Sequence, residues 1–345
     1  MEIAETRRVV EGDLVGRPEL SKNDESRIKV SVGMLRMRMA WRLKEGHAAS
    51  EAKAACLRQA GLTRAGFPVT RAQTTRRRRT TGVELTILGS GSTGNAALLS
   101  TARTRLLVDA GLSRRETLKR LAAAEQPTAG VSAILLSHEH ADHAAHVAAL
   151  AEELRVPVYL SPGTREALGD TLGQTHVECF QPGERFQIGD IEVTPFSVPH
   201  DAREPVGFRF LAAGVKLALA VDLGFLTTLA KEQLRGCDCL MLEANHDLEM
   251  LRRGPYPWFI KQRVMSRLGH LSNDALAEFL ENDFDGGAAT IVLAHLSENN
   301  NSPEVARLAA EQALERRQGR FPLSLAAQPA LQVTSSRVPL GPLRF

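Results

Sequence analysis

One short stretch constrains this chain more than any other. Ser137-His138-Glu139-His140-Ala141-Asp142-His143 follows an apolar run at residues 131–136 and opens a helical pattern. Four potential ligands fall within six residues, in the order His-x-His-x-Asp-His, and three of the chain's ten histidines are among them. In an extended loop, side chains at i and i+2 point the same way, so His138 and His140 can hold one ion together. Asp142 and His143 begin the helix and can face a second ion. Imidazole suits zinc, iron or nickel, and carboxylate suits manganese or zinc. A polar loop has no reason to concentrate histidine in this way.

A site of this kind needs more ligands from elsewhere in the fold, and the ends of apolar strands offer them. His200 follows a strand at 191–198 and Pro199. Asp222 ends an apolar strand at 216–221, and His295 ends another at 290–294. Each alone reads as an ordinary turn residue. As a set of strand-end residues they support one another.

The pattern around these residues is easy to divide. From Val83 it reads as a strand at 83–88, a loop at 89–95, a hairpin pair at 96–100 and 105–109, and a helix at 114–124 capped by Ser113. A buried strand at 131–136 leads to a helix at 142–154, a strand at 156–160 and a short helix at 162–168. Short strands follow at 178–180, 185–187, 191–198, 207–212 and 215–221, with turns at Gly189-Asp190 and Ala213-Gly214. A helix at 226–234, a strand at 239–243, a helix at 274–282, a strand at 290–294 and a helix at 303–316 complete the series. Strands with a few helices, then the same again, imply two packed sheets with helices outside, an α/β sandwich.

Composition excludes several alternatives. Of 345 residues, 43% are apolar and 24% charged, the balance of a globular chain. Four scattered cysteines, Cys56, Cys179, Cys237 and Cys239, do not make a disulfide framework. No run of 18 apolar residues can span a membrane, and no apolar segment follows the N-terminus as a signal peptide would require. A cytoplasmic protein with no membrane partner is expected.

Charge divides the chain. Residues 1–82 carry 18 Lys/Arg and 9 Asp/Glu, whereas residues 83–345 carry 25 and 31, a net of +9 against −6. The boundary is the run Arg76, Arg77, Arg78, Arg79. Residues 34–60 can form a basic amphipathic helix with Met34, Met37, Ala40 and Trp41 as a partial stripe, which suits a nucleic-acid-binding arm. The poor periodicity favours a disordered basic extension over 1–82, ahead of one folded domain over 83–345.

His-x-His-x-Asp-His, then a lone His, an Asp at a strand end and a late His resembles the metallo-β-lactamase-fold hydrolases. The resemblance covers residues 83 to about 315 and implies an αββα sandwich of two mixed sheets flanked by helices. It implies one ion on His138, His140 and His200, another on Asp142, His143 and His295, and Asp222 bridging them. Two divalent ions, zinc or manganese, are therefore expected. Ser90-Gly91-Ser92-Thr93-Gly94-Asn95, Glu243-Ala244-Asn245-His246-Asp247, Gly269-His270-Leu271-Ser272-Asn273 and Ala294-His295-Leu296-Ser297-Glu298-Asn299-Asn300-Asn301 look like the WalJ branch, also called VicX or YycJ. These are relatives of RNase Z and RNase J, linked to exonuclease action on DNA and to DNA repair. The 73 residues from Asp222 to His295 leave no room for the extra domain of RNase J. No Gly/Pro-rich arm of the RNase Z kind lies between His143 and His200.

The chemistry so implied is phosphodiester hydrolysis of nucleic acid, DNA rather than RNA, with a hydroxide held between two ions as nucleophile. The leaving oxygen needs a proton, and His270 is the candidate donor, oriented by Glu243. Asp142 counts with them among the catalytic residues. Ser92, Asn95, Asn245, His246 and Asn299 are candidate substrate contacts.

Other readings compete. Gly89-Ser90-Gly91-Ser92-Thr93-Gly94 fits a dinucleotide fingerprint with Asp109 as its acid, but that reading needs a helix next. Cys237-Asp238-Cys239 lacks the spacing of a zinc or redox pair, and His146 is expected to sit outside the ligand set. A hydrolase of small esters, thioesters or lactones shares the same fold and ligands. A non-catalytic nucleic-acid binder relying on the basic N-terminus fits a full ligand set poorly.

Overall fold

The computed structural model describes residues 82–320, 329–335 and 339–345. Apart from Gly82, the expectations for residues 1–82 lie outside the described residues, as does Cys56.

Fourteen strands form two seven-stranded sheets among the described residues. The first holds β1 (Glu84–Gly89), β2 (Ala96–Ser100), β3 (Arg105–Val108), β4 (Ala133–Leu135), β5 (Val158–Leu160), β6 (Val177–Cys179) and β14 (Leu340–Arg344), in the order β14-β1-β2-β3-β4-β5-β6. The second holds β7 (Phe186–Ile188), β8 (Ile191–Ser197), β9 (Val206–Ala212), β10 (Val215–Ala220), β11 (Cys239–Glu243), β12 (Thr290–Ala294) and β13 (Ala330–Val333), in the order β13 to β7. Each sheet is half antiparallel and half parallel: β3, β4, β5 and β6 run together, as do β10, β11, β12 and β13.

The parallel strands are apolar on both faces because both faces are covered. In β3, Leu106 and Val108 face the second sheet, and Leu107 faces the outer helices. In β12, Val292 and Ala294 face the first sheet, and Ile291 and Leu293 face outward. The layer between the sheets packs Leu85, Ile87, Leu99 and Leu135 against Phe208, Phe210, Leu217 and Met241. Truncating a fully buried ring such as Phe208 to alanine is expected to cost about 3–5 kcal/mol.

Helices cover the outer faces. α1 (Arg114–Ala123) and α3 (Val147–Leu154) place Leu121 and Leu150 on the first sheet. α5 (Thr228–Leu234), α8 (Asn273–Asn282) and α9 (Pro303–Arg320) place Leu234, Phe279 and Ala310 on the second. Short helices α2 (Ala141–Ala144), α4 (Pro162–Leu168), α6 (Leu248–Arg253) and α7 (Trp258–Val264) lie in the connections. Ser113 caps α1 as expected, its hydroxyl accepting from the Glu116 N–H at 3.2 Å.

The structure departs from the sequence expectation in two places, the helix at 142–154 and the elements not anticipated at all, and elsewhere it removes a rival reading. The single helix at 142–154 is two helices, α2 and α3, broken at His146. The break has a cause: the loop after β3 inserts there, with Ala110 N–H donating to His143 and the His146 N–H donating to Ala110. The glycine-rich loop at 89–94 leads into strand β2 and not a helix, which removes the dinucleotide reading. Strands β13 and β14 and helices α6 and α7 were not anticipated. β14 carries Pro342, which a strand tolerates at a sheet edge, and β14 is that edge.

Candidate metal centre

Parallel strands put their carboxyl ends on one edge, and that edge collects the ionisable residues. Asp109 follows β3, His138 follows β4, Asp222 follows β10, Glu243 ends β11 and His295 follows β12. Asp109, Asp222 and His295 each hold a left-handed backbone, with φ of 63°, 55° and 54°. Such a conformation costs a non-glycine residue about 1–3 kcal/mol, and Asp and His are among the residues that enter it most readily. The surroundings hold it in place. Ser90 Oγ accepts from the His295 N–H at 2.9 Å, and Asp109 Oδ1 accepts from the Ser137 N–H at 2.9 Å.

The His-x-His-x-Asp-His stretch is clamped from below. Asn95 N–H donates to the Asp142 carbonyl at 2.7 Å and Ala110 N–H to the His143 carbonyl at 2.6 Å. Gly111 presses against the Asp142 carbonyl so closely that a Cβ would overlap it. No side chain larger than glycine fits there without moving Asp142.

The side chains of this stretch meet those from the second sheet. His138, His140 and His200 offer nitrogens within 4.8 Å of one another, and so do Asp142, His143 and His295 through their nitrogens and carboxylate oxygen. Asp222 lies within that distance of His138 and His143, and, in a further group, of Glu243, His270 and His295. Its Oδ2 sits 2.5 Å from His143 Nε2 and its Oδ1 3.3 Å from His295 Nδ1.

Three of the imidazoles are oriented by a neighbouring backbone or carboxylate oxygen. His143 Nδ1 meets Asp109 Oδ2 at 2.9 Å, which turns Nε2 toward the cluster. His200 Nδ1 donates to the Gly269 carbonyl at 3.0 Å, which turns Nε2 toward His140. His295 Nδ1 faces Glu243 Oε1 at 3.3 Å. Metal-binding histidines are commonly fixed in this manner. Asp109 was considered in the sequence only as a ribose acid. Its place at a strand end was the signal, and its distance from the histidines in sequence hid it.

The residues fit divalent cations. The His138 Nε2 atom is buried without a hydrogen-bond partner, among the clustered side chains. Burial, with the neighbouring His143, holds His138 well below its usual value, so that nitrogen keeps a lone pair. Burial also presses His143 toward its neutral form, but Asp222 and Asp109 outweigh it and lift the ring to about 10. Burial opposes the Asp222 charge, yet His295 and His143 hold it well below the usual carboxylate range. Three carboxylates therefore impose a demand for positive charge on a buried space, which cations satisfy.

His270 stands beside this group. Its Nδ1 lies 2.7 Å from Glu243 Oε1 and 3.2 Å from Asp222 Oδ1. Glu243 is wholly buried, and its Oε2 accepts from the Leu223 and Leu271 N–H groups at 2.9 and 3.2 Å. Burial opposes the His270 charge, but Glu243 and Asp222 raise it to about 9, while His270 and His295 bring Glu243 down to about 2 against its own burial.

A cleft of about 320 Å³ opens over these side chains. It is lined by His140, Asp142, His200, Asp222, His270 and His295, and by Ser92 and Asn245. Asn95 is buried beneath it, its amide donating to the Gly91 and Asp142 carbonyls. His246 is buried beside Asn245 and held near 4 by burial. Neither is among the lining residues. Asn299 donates to the Tyr256 hydroxyl at 3.2 Å. Tyr256, Arg263 and Val264, which also line the cleft, were not singled out as substrate contacts.

Comparison with known proteins follows the same lines. A family model described as a beta-lactamase superfamily domain matches residues 104–296. The chain is 39% identical over 239 residues to exodeoxyribonuclease YycJ of Bacillus anthracis, covering 68% of this chain and 90% of that protein. It is 37% identical over 234 residues to exodeoxyribonuclease WalJ of Streptococcus pneumoniae serotype 2, covering 66% and 86%. Among solved structures, the metallo-beta-lactamase fold protein YhfI from Bacillus subtilis aligns over 75% of this chain and 98% of its own, with a TM-score of 0.55 and 18% identity. That last likeness is one of fold. The chain belongs to the metallo-β-lactamase superfamily, in the branch of YycJ and WalJ, and is a metal-dependent hydrolase.

Proposed function

We propose that the chain is a DNA exonuclease working with two divalent ions, zinc or manganese. The observation that carries this reading is the 39% identity spanning 90% of a protein named an exodeoxyribonuclease. The first ion is assigned to His138, His140 and His200, and the second to Asp142, His143 and His295, with Asp222 shared. Bound there, the ions supply Lewis acidity toward a phosphoryl oxygen and lower the pKa of a water molecule.

The chain's own residues do the rest. Asp142 and Asp222 keep the centre from carrying uncompensated positive charge. His270, with Nδ1 on Glu243, keeps Nε2 for the leaving oxygen and delivers a proton to it. Glu243 favours the charged ring and fixes its orientation. Ser92 and Asn245 line the cleft and can hydrogen-bond the sugar-phosphate.

The same fold also hosts hydrolases of small esters, thioesters and lactones. The test is a metal-reconstituted assay on 5′- and 3′-labelled single- and double-stranded DNA, beside RNA, a thioester and a lactone. Release of mononucleotides from one DNA end is expected. High turnover of the thioester or lactone, with intact DNA, would overturn the proposal.

A further inference from the structure

Asp201 carries a buried oxygen that the fold leaves without a bond. The residue follows His200 directly, in the connection between β8 and β9. Its Oδ1 is buried, makes no hydrogen bond, and stands 3.5 Å from His200 Nε2. His200 Nδ1 donates its proton to the Gly269 carbonyl at 3.0 Å, so Nε2 of the neutral ring carries a lone pair. A carboxylate oxygen and an imidazole lone pair therefore lie side by side with no proton between them. Burying two such acceptors is costly unless a cation or a donor faces both.

The rest of the residue and its connection are fixed on several sides. Arg263 Nε donates to Asp201 Oδ2 at 2.5 Å, and the Asp201 N–H donates to the Leu268 carbonyl at 3.0 Å. Both partners belong to residues 248–268, which rim the cleft through Tyr256, Arg263 and Val264. Further along, the Arg203 N–H donates to Glu139 Oε1 at 2.6 Å, which ties the connection to the His138–His143 loop. Glu204 Oε2 accepts from the Gly163 N–H at 2.8 Å, which ties it to α4. The free oxygen is held where it is by contacts that do not involve it.

The two candidate ligand groups differ in charge. The group of Asp142, His143 and His295 has a carboxylate of its own. The group of His138, His140 and His200 is imidazole throughout, and Asp222 is shared between the two sides. Asp201 supplies a carboxylate on the all-imidazole side. It stands outside the set whose ligand atoms lie within 4.8 Å of one another, so it reaches an ion there through a water molecule and not as a direct ligand. Carboxylates placed behind or beside the ligands in this way orient them and tune the metal.

We infer that Asp201 is a positioning residue for the first ion, its Oδ1 accepting a hydrogen bond from a water molecule in that ion's coordination shell, beside His200. The inference rests on the two-ion reading and adds to it a residue outside both ligand sets. Asp201 then governs how tightly the first ion is kept, as Asp109, on the far side of His143, governs the second.

The full chain, stripped of metal, is titrated with manganese against a competing chelator, with no nucleic acid present, and electron paramagnetic resonance follows the same titration. Wild type should bind two ions and show the spectrum of a coupled pair at saturation. Asp201→Asn should weaken one of the two about 10–100-fold and leave the other unchanged, so that the spectrum of an isolated ion persists at manganese levels that fill wild type. Asp109→Asn should weaken the other ion, and the double variant both. Arg263→Ala keeps the Asp201 oxygen and should weaken neither ion as much as Asp201→Asn does. Melting curves check that the variants fold. Unchanged binding of both ions by Asp201→Asn overturns the inference alone, and so does an equal loss in Arg263→Ala, which would make Asp201 a tether for the rim. Weakening of the same ion by Asp109→Asn and Asp201→Asn overturns the placement beside His200. A wild-type chain that binds a single ion sinks the two-ion reading, and the inference with it.

Discussion

Six imidazoles and three carboxylates gather at and beneath the floor of the cleft, in groups whose ligand atoms lie within 4.8 Å of one another. The rim at 248–268 turns two rings outward and carries five basic side chains, of which Lys261 is buried. Buried hydrogen bonds hold the floor in a single arrangement, and leaving any of those groups unpaired is costly. The rim is anchored by the Lys261, Arg263 and Tyr256 side chains, while the Trp258 and Phe259 rings are left exposed. On the proposed reading, chemistry and substrate capture reside on separate elements. Floor substitutions should change metal content or turnover, whereas rim substitutions should change affinity.

The largest effect is expected at the shared floor ligand. Asp222→Ala removes the carboxylate between the two ligand sets and leaves two cations less neutralised. Bound metal should fall to half or less by elemental analysis, and hydrolysis should collapse. An unchanged metal-to-protein ratio would break the assignment of Asp222.

His270→Ala comes next and separates proton delivery from metal binding. It should lower kcat by about 10²–10⁴-fold on DNA, with metal content near wild type. On a nitrophenyl phosphodiester the loss should shrink, because that leaving oxygen needs no proton. An equal loss on both substrates would make His270 a phosphate holder.

A smaller effect is expected one layer below the floor. Asp109→Asn keeps the shape but weakens the hold on His143 Nδ1, and metal affinity should fall about 10–100-fold by competition with a chelator. No change would show that Ser137, 3.2 Å from the same nitrogen, is sufficient.

The least effect is expected far from the comparison. Both sheets and every assigned ligand lie after Gly82, so a chain starting there should bind metal and cleave DNA as the full chain does. Loss of folding or activity would give residues 1–82 a part in the floor or the rim.

The ease of reading the sequence follows the same division. Four of the clustered side chains stand within six residues, so local spacing was enough to expect them together. His200, Asp222 and His295 were legible because apolar strands end at them, and Glu243 and His270 only through the family motif. Asp109 and Ser90 escaped because their work depends on tertiary contacts with His143 and His295. The left-handed backbones at three strand ends leave no mark in residue type. The break at His146 escaped because the apolar pattern continues across it, and only the inserted loop interrupts the helix. The rim escaped because exposed aromatic residues have no periodicity to betray a short helix such as α7. Composition did hold a sign: five basic residues against one acid, inside an acidic domain.

The central claim is that the floor is a two-ion centre. Elemental analysis of the wild-type chain, loaded with manganese or zinc and freed of excess by gel filtration, tests it most directly. Two divalent ions per chain, both lost on chelation together with DNA cleavage, is the predicted result. One ion per fully active chain, or activity that survives chelation with no metal bound, would contradict it.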